Sequence, residues 1–293
     1  MIPNQLKTKS NRRSFFKSTG IAGLGAAATA ATVAVSTRTP LMAQQSIGNF
    51  RFDTPPQIFT AALIAEDLAT TFYYNGLVGG AIQDPSLAGP GGTATNVTLA
   101  GNVGNVNYIQ AALSEEIAHA NLLRSLLGGT SAATDPIQNF YLPTGSFDTA
   151  PAFLALLDTL EKAFIGAYLL AVKSFAYMSA LLNGNSVAGY MLNGAAYNSS
   201  QVQYYGEVAA SILGVEAEHR VLGRVISNSN PANNFCYEQN DGLDAVYNGP
   251  TSAVAALTPF LARGKGLTEY SFAEALKNQA SVSLPCSGGP PPA

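Results

Sequence analysis

The apolar positions of this chain recur every three to four residues in four long segments, which is the spacing of an amphipathic α-helix. Local sequence marks the ends of these segments. The prolines of Thr54-Pro55-Pro56 suit a helix start, Ser200 and Gln203 form a capping-box pattern, and the pair Gly128-Gly129 suits a helix stop. The pattern therefore predicts an all-α chain with helices over about residues 54–74, 107–127, 148–182 and 199–226.

Two of the connections between these helices are long. Residues 79–104 are rich in Gly, Thr, Asn and Pro, and loops of this length in compact domains tend to be functional or mobile. Residues 130–148 lack helical periodicity and contain two prolines. When extended they span about 60 Å, whereas a 20-residue helix spans about 30 Å. They suffice for a crossover that runs the length of a four-helix bundle between its second and third helices.

The residues after the fourth helix are predicted to form an addition to the bundle. Residues 229–284 read as a C-terminal extension with short helices over about 251–263 and 268–278. The last segment, 285–293, contains the run Ser287-Gly288-Gly289-Pro290-Pro291-Pro292 and is expected to be disordered.

Both histidines of the chain lie in the same four-residue pattern, Glu-x-x-His. The two copies are Glu116-Ile117-Ala118-His119 and Glu216-Ala217-Glu218-His219, each inside a predicted helix. Because residues three apart share a helix face, each copy offers a carboxylate and an imidazole to one point in space. Two such motifs, with one glutamate from each of two further helices, make the di-iron or di-manganese carboxylate site of a four-helix bundle.

Two further glutamates occupy the positions that such a site needs. Glu66 lies in the first predicted helix, 50 residues before the first motif, and Glu161 lies in the third, 55 residues before the second. A tyrosine follows each of them by seven residues, Tyr73 and Tyr168, which is two turns along the same helix face. We expect these tyrosines to face the core with their hydroxyls near the ligands, with a radical or electron-transfer role as an alternative.

This set of side chains matches the charge of two divalent ions. Four carboxylates and two neutral imidazoles supply −4 against +4, so the site is balanced only when it is loaded. If it were empty, repulsion among the clustered carboxylates would force some of them to hold protons. Oxygen-rich sites that include imidazole suit iron and manganese, whereas the thiolates that favour zinc or copper(I) are absent from the motifs.

The order and spacing of these motifs resemble a known family. The stretches A-E-D-L-A-T-T-F-Y, E-E-I-A-H-A-N-L-L-R, L-E-K-A-F-I-G-A-Y and G-V-E-A-E-H-R look like the ferritin-like domain of desiccation-related and fungal stress-induced proteins, over residues 53–228. The resemblance implies a ferritin-like four-helix bundle but no particular reaction. Ala69 and Thr71 stand where this family commonly has further glutamates. The metal ligands that the resemblance implies are Glu66, Glu116, His119, Glu161, Glu216 and His219.

The remaining acidic residues near the motifs are expected to have lesser roles. Asp158, one turn before Glu161, is placed to orient one of the histidines through its other ring nitrogen, or else is exposed. The others read as surface residues: Asp67, Glu115 and Glu218.

The first 43 residues have the features of a signal peptide. Asn11-Arg12-Arg13-Ser14-Phe15-Phe16-Lys17 is a twin-arginine export motif, and a mildly apolar Ala/Gly-rich run follows it. Leu41-Met42-Ala43 offers a cleavage point, and an uncleaved anchor is the alternative. The mature protein is then expected in the periplasm or outside the cell, with no stable membrane span.

Removal of that segment makes the chain acidic. Six of the 15 Lys and Arg residues lie within it and none of the 18 acidic ones do, which leaves nine basic residues and a net charge of −9. We therefore do not expect the protein to bind nucleic acid through a basic surface. Charged residues are only 11% of the chain, well below the usual quarter, so burial of surface in a homo-oligomer is one expectation.

The two cysteines, Cys236 and Cys286, both lie outside the predicted bundle. After export a disulfide between them is permitted and would tie the C-terminal tail back. Neither cysteine belongs to a Cys-x-x-Cys pattern, so metal ligation by these thiols is not expected.

Three classes of function remain. The first is a redox enzyme that oxidises ferrous iron with O₂ or peroxide, or that consumes peroxide at a manganese pair. The second is a metal-binding stress protein without turnover. The third is a structural module that keeps only the fold, against which the complete set of six ligands argues. The sequence does not choose between iron and manganese.

Overall fold

The computed structural model of the chain confirms a mainly helical, ferritin-like architecture. The twin-arginine segment, the two cysteines, most of residues 79–104 and the predicted disordered tail lie outside the residues that the structure describes. The described residues are 45–47, 50–84, 87, 105–184, 191–192, 195–227 and 257–284.

Four long helices form the bundle at the positions that the sequence pattern predicts. They are α1 (Pro55–Val78), α2 (Asn105–Leu126), α3 (Ala150–Gly184) and α4 (Ser199–Ile226). Helix α1 pairs mainly with α2, and α3 pairs mainly with α4. Short 3₁₀ turns and a fifth helix, α5 (Phe272–Asn278), complete the helical part of the described chain.

Two apolar clusters at opposite ends of the bundle fix the direction of each helix. One cluster contains the start of α1, the end of α2, the second half of α3 and the first half of α4. The other contains the rest of α1, the start of α2, the first half of α3 and the end of α4. Helices α2 and α3 therefore run in the same direction. The segment between them must cross the whole bundle, as the length of residues 130–148 predicts.

The crossover contains a strand that the sequence pattern did not reveal. Strand β3 (Asn139–Pro143) pairs antiparallel with β6 (Leu267–Ser271) and buries Phe140 and Leu142 in the core. The predicted helix over 268–278 was therefore wrong in its first part: residues up to Ser271 are a strand, and α5 begins at Phe272. The cross-strand pair Phe140–Tyr270 and the burial of Phe140 and Leu142 outweigh the weak helical pattern here.

Two further short antiparallel pairs flank the bundle. Strands β1 (Gln45–Ile47) and β2 (Phe50–Phe52) precede α1, and strands β4 (Met191–Leu192) and β5 (Ala195–Ala196) lie between α3 and α4.

The helix caps agree with the sequence at α1 and differ at α4. The Thr54 amide donates a hydrogen bond to Gln57 Oε1 at 2.9 Å, and this capping box with the two prolines defines the start of α1. At α4 the predicted Ser200–Gln203 box is not the cap. Instead Asn198 Oδ1 accepts a hydrogen bond of 2.8 Å from the amide of Gln201. Asparagine is among the strongest N-cap residues.

Side chains of α2 form hydrogen bonds with the backbone of the C-terminal segment. Gln110 Nε2 donates to the carbonyl of Val282 at 2.7 Å, and Ser114 Oγ donates to the carbonyl of Leu284 at 2.8 Å. Helix α5 also packs against α1, with Phe272 buried in the core. The described part of the extension, residues 257–284, therefore packs together with the bundle.

Helix α3 is, among the described helices, the one that is long and apolar enough to cross a membrane by length and composition alone. The core helix of a globular bundle passes the same test. Here α3 carries the buried carboxylate of Glu161 at its middle and packs along α4.

Close packing between α1 and α3 depends on Gly76. A Cβ at this position would overlap the ring of Phe153, lying 2.8 Å from its Cζ. That ring is fully buried and stacks on Phe72 at a centroid distance of 4.7 Å, so it has little room to move. The glycine in the helix permits the approach of the two helices.

We expect Gly76→Ala to lower the free energy of unfolding by about 1–3 kcal/mol because overpacking outweighs the gain in helix propensity. Gly214→Ala is the matched control, since Gly214 lies in α4 and a Cβ there would meet nothing within 4 Å. That variant should gain up to about 1 kcal/mol. Chemical denaturation of both variants measures the difference, and equal stabilisation by both would contradict the packing argument.

Candidate metal centre

Four glutamates, one from each bundle helix, meet in a layer between the two apolar clusters. Their side chains are almost completely inaccessible to solvent, at 1% or less relative exposure, although glutamate is rarely buried. The sequence prediction that each bundle helix contributes one carboxylate to a common site is therefore reproduced in the geometry. The four are Glu66, Glu116, Glu161 and Glu216.

His119 directs its Nδ1 atom at one side of this carboxylate cluster. Nδ1 lies 3.3 Å from Glu66 Oε2, 3.5 Å from Glu216 Oε1 and 3.8 Å from Glu116 Oε2. The side chain is 12% exposed, so it is the more accessible of the two histidines. One group of ligand atoms within 4.8 Å of one another comprises Glu66, Glu116, His119 and Glu216.

His219 does the same from the other side. Its Nδ1 lies 3.0 Å from Glu116 Oε1, 3.6 Å from Glu216 Oε2 and 3.9 Å from Glu161 Oε1. The second group of ligand atoms within 4.8 Å of one another comprises Glu116, Glu161, Glu216 and His219. The two groups share Glu116 and Glu216, and each has one further glutamate and one histidine of its own.

The two tyrosines connect the halves of the bundle. Tyr73 of α1 donates a hydrogen bond to Oε1 of Glu161 on α3, and Tyr168 of α3 donates one to Oε1 of Glu66 on α1. Each tyrosine thus holds the glutamate of the opposite helix and not the one on its own helix. The predicted placement of both hydroxyls beside the candidate ligands agrees with these contacts.

Glu115 has a role that the sequence interpretation missed. Its Oε2 lies 2.8 Å from Nε2 of His219, in a hydrogen bond that leaves Nδ1 facing the cluster. Glu115 was interpreted as a surface residue, and its side chain is indeed half exposed, but the tip of the side chain touches the histidine. Its position directly before Glu116 was the only sequence signal, and it does not by itself indicate a contact to the other helix pair.

Asp158, for which we left open an orienting role at a histidine or an exposed position, is 37% exposed and pairs with an arginine. Its Oδ1 lies 3.6 Å from Nε of Arg220, which is buried on α4 directly after His219. This contact links α3 to α4 one turn away from Glu161.

Asp67 is also not a surface residue. It is fully buried, and its Oδ1 accepts a hydrogen bond of 2.7 Å from Arg124 Nη2. The same guanidinium donates from Nε to Asp135 Oδ2 at 2.8 Å and lies 5.7 Å from the centre of the Phe272 ring. Arg124 therefore joins α1, α2, the crossover and α5 directly beside Glu66. Burial raises the pKa of Asp67 to about 9, with Arg124 opposing and Asp135 reinforcing the shift.

Burial and mutual repulsion dominate the protonation of the cluster. Burial, followed by the charges of Glu216 and Glu116, holds the pKa of Glu66 well above its usual range. Burial and the charge of Glu216 do the same to the pKa of Glu161. Burial alone would lower the pKa of His119, but its contacts with the carboxylates of Glu116, Glu216 and Glu66 outweigh burial and raise that pKa to about 12. Without cations, the site must hold protons in their place.

Many atoms of the cluster lack hydrogen-bond partners among the described residues. They are both carboxylate oxygens of Glu116 and of Glu216, one oxygen of Glu66 and of Glu161, and Nδ1 of both histidines. Buried polar atoms are normally satisfied, so this layer of unpaired ligand atoms is suited to binding a further group. These residues could hold a metal ion.

Comparison with known proteins agrees with the architecture. Residues 55–176 match the Ferritin-like domain family. No curated protein and no solved structure matches the chain. The matched range contains α1, α2 and most of α3, with three of the glutamates and His119, whereas Glu216 and His219 lie beyond it.

Removal of the Arg124 guanidinium should destabilise the bundle strongly. Arg124→Ala removes the guanidinium that is hydrogen-bonded to the buried side chains of Asp67 and Asp135 and leaves both without this partner, so we expect a loss of about 3–5 kcal/mol. Arg263→Ala is the control, since Arg263 pairs with Glu269 on the surface and its loss should leave stability nearly unchanged. Denaturant titration at neutral pH measures the stability of both variants, and similar midpoints would contradict a stabilising role of the buried Arg124 contacts.

Proposed function

We propose that the cluster binds two iron or two manganese ions and that the protein is an exported binuclear metalloprotein. The observation that carries the proposal is the pair of overlapping ligand groups, each with its own histidine and terminal glutamate and with Glu116 and Glu216 in common. Glu116 and Glu216 belong to both groups and would be available to hold either ion. The oxygen-rich donor set suits iron and manganese.

The fit between this chain and such a pair rests on charge as well as geometry. Four carboxylates would offset two divalent cations, and the unpaired oxygens and nitrogens of the cluster are the atoms that would hold them. Glu66 and Glu161 remain hydrogen-bonded to the two tyrosines while their other oxygens are free for coordination. Desolvation strengthens each of these interactions, since the layer is closed by apolar side chains on both sides.

The favoured function is redox chemistry with O₂ or peroxide, either oxidation of ferrous iron or consumption of peroxide. The ions would supply the electrons for that chemistry. The protein side chains orient the ligands, exclude bulk water and provide hydroxyl protons at Tyr73 and Tyr168. Carboxylates can also bridge or bind through one or two oxygens, which lets the site follow a change in metal charge.

A metal-binding stress protein without turnover is the alternative. The resemblance of the motifs to desiccation-related proteins supports it, and it uses the same ligands. The two candidates differ in one measurable property, which is catalytic consumption of an oxidant by the loaded protein.

Export through the twin-arginine route fits both candidates. That route carries folded proteins, so a metal centre loaded in the cytoplasm would reach the periplasm or the outside intact. We propose this location from the Asn11–Lys17 motif.

Metal loading should stabilise the fold. Because the ions bind the folded state and relieve the repulsion among four buried carboxylates, we expect a higher melting temperature with iron or manganese than after treatment with a chelator. A saturating ion at about 100 times its Kd adds about 2.7 kcal/mol. Scanning calorimetry of both forms at neutral pH, with elemental analysis for two ions per chain, tests this. Identical melting curves would contradict a buried centre.

Replacement of His119 should show whether metal loading, and any turnover, depends on this ligand. His119→Ala removes one nitrogen ligand, so we expect weaker metal loading and, if the protein is an enzyme, loss of turnover in ferrous-oxidation and peroxide assays. Glu207→Ala, an exposed residue of α4, is the control and should retain both properties. Two ions per chain without turnover in the unaltered protein would favour the stress-protein alternative. No bound metal after growth in supplemented medium would overturn both.

A further inference from the structure

The two halves of the centre differ in how their histidines are supported. Nε2 of His219 is hydrogen-bonded to Glu115, and the His219 side chain is only 4% exposed. Nε2 of His119 has no hydrogen-bond partner among the described residues, and the His119 side chain is 12% exposed. One imidazole is therefore fixed from both ends, and the other only from the side of the cluster.

One of the differences between the two Glu-x-x-His motifs accounts for this asymmetry. The glutamates of the two motifs are 100 residues apart, and so are the histidines. Tyr73 of α1 contacts Glu161 of α3, and Tyr168 of α3 contacts Glu66 of α1. The two halves are therefore related by an approximate two-fold arrangement. The residue before the glutamate is Glu115 in the first motif and Val215 in the second. Since Glu115 reaches across to His219, Val215 occupies the position from which a carboxylate would reach His119.

We propose that the two metal positions are inequivalent, with a closed, tight position at His219 held by Glu115 and an open position at His119 where ions bind second and exchange. This inference rests on the proposed binuclear centre. A carboxylate on the outer ring nitrogen fixes the tautomer and orientation of a metal-binding histidine and increases its basicity. Glu115 is thus a positioning residue that acts through His219.

The chemistry at the open position follows from its exposure. The His119 side chain is more exposed than that of His219, and none of the described residues fixes its Nε2 atom, so this histidine can rotate more freely. Ligand exchange is easier there, so this side admits the incoming ion and any small oxidant, while the ion at His219 stays in place. The arrangement separates a retained ion from an exchangeable one within a single cluster.

Titration of the metal-free full chain with Mn(II) tests the inference. Electron paramagnetic resonance measures free Mn(II) and distinguishes a single bound ion from a coupled pair. We expect two binding steps whose dissociation constants differ by at least about tenfold, with the single-ion signal appearing before the coupled signal. Two equal constants in the unaltered protein would overturn the inference, and no bound Mn(II) or iron would overturn the binuclear proposal itself.

Four variants assign the steps to residues. Glu115→Val should weaken the tight step by about 10–100-fold and leave the weak step unchanged, so that the two merge. Glu115→Gln, whose amide oxygen still accepts from Nε2–H, should recover part of the loss. Val215→Glu should tighten the weak step. Glu218→Val removes a neighbouring exposed carboxylate that lies next to His219 in sequence, and it should change neither step.

A purely structural role of Glu115 predicts a different outcome. It would lower stability and weaken both steps together, without recovery by glutamine and without an effect of Val215→Glu. Equal weakening of both steps by Glu115→Val, or an unchanged weak step in Val215→Glu that binds two ions, would therefore overturn the proposal.

Discussion

Repulsion among four carboxylates in a dry layer is the constraint on which the rest of this structure depends. The layer lies between two apolar clusters, and every glutamate in it is at most 1% exposed. Water cannot solvate these charges, so protons or cations must neutralise them. The bundle must be rigid enough to hold four helices together around this unfavourable centre. Two features hold the helices together: Gly76 permits the close approach of α1 and α3, and the hydrogen bonds of Arg124 to Asp67 and Asp135 join α1, α2 and the crossover.

The hydrogen bonds of the tyrosines show how the fold supports the centre without occupying it. Tyr73 and Tyr168 each bind one oxygen of the glutamate on the opposite helix and leave the second oxygen unpaired. A residue that saturated both oxygens would stabilise the metal-free protein and remove a ligand. The structure thus keeps unsatisfied atoms where a bundle selected only for stability would not, which is the expected conflict between stability and function.

The sequence predicted the bundle, its crossover and the convergence of all six candidate ligands, because helical periodicity and three-residue spacing are local properties. It did not predict contacts between distant segments. Glu115 and Asp67 resemble surface residues in the sequence, and only the packing of four helices brings the first to His219 and the second to Arg124. Strand β6 was missed for the same reason, since its partner β3 lies more than 120 residues earlier in the chain.

The completeness of the centre depends on the second half of the chain. The range that matches the Ferritin-like domain family ends at residue 176, before α4, and by itself supplies only one histidine to the cluster. Helix α4 adds Glu216, which belongs to both ligand groups, and His219. It follows that a protein with only the matched range would retain parts of both groups and lose Glu216, one of the two shared carboxylates. The chemistry therefore belongs to the assembled bundle, in which each helix pair contributes half of a site that neither pair can form alone.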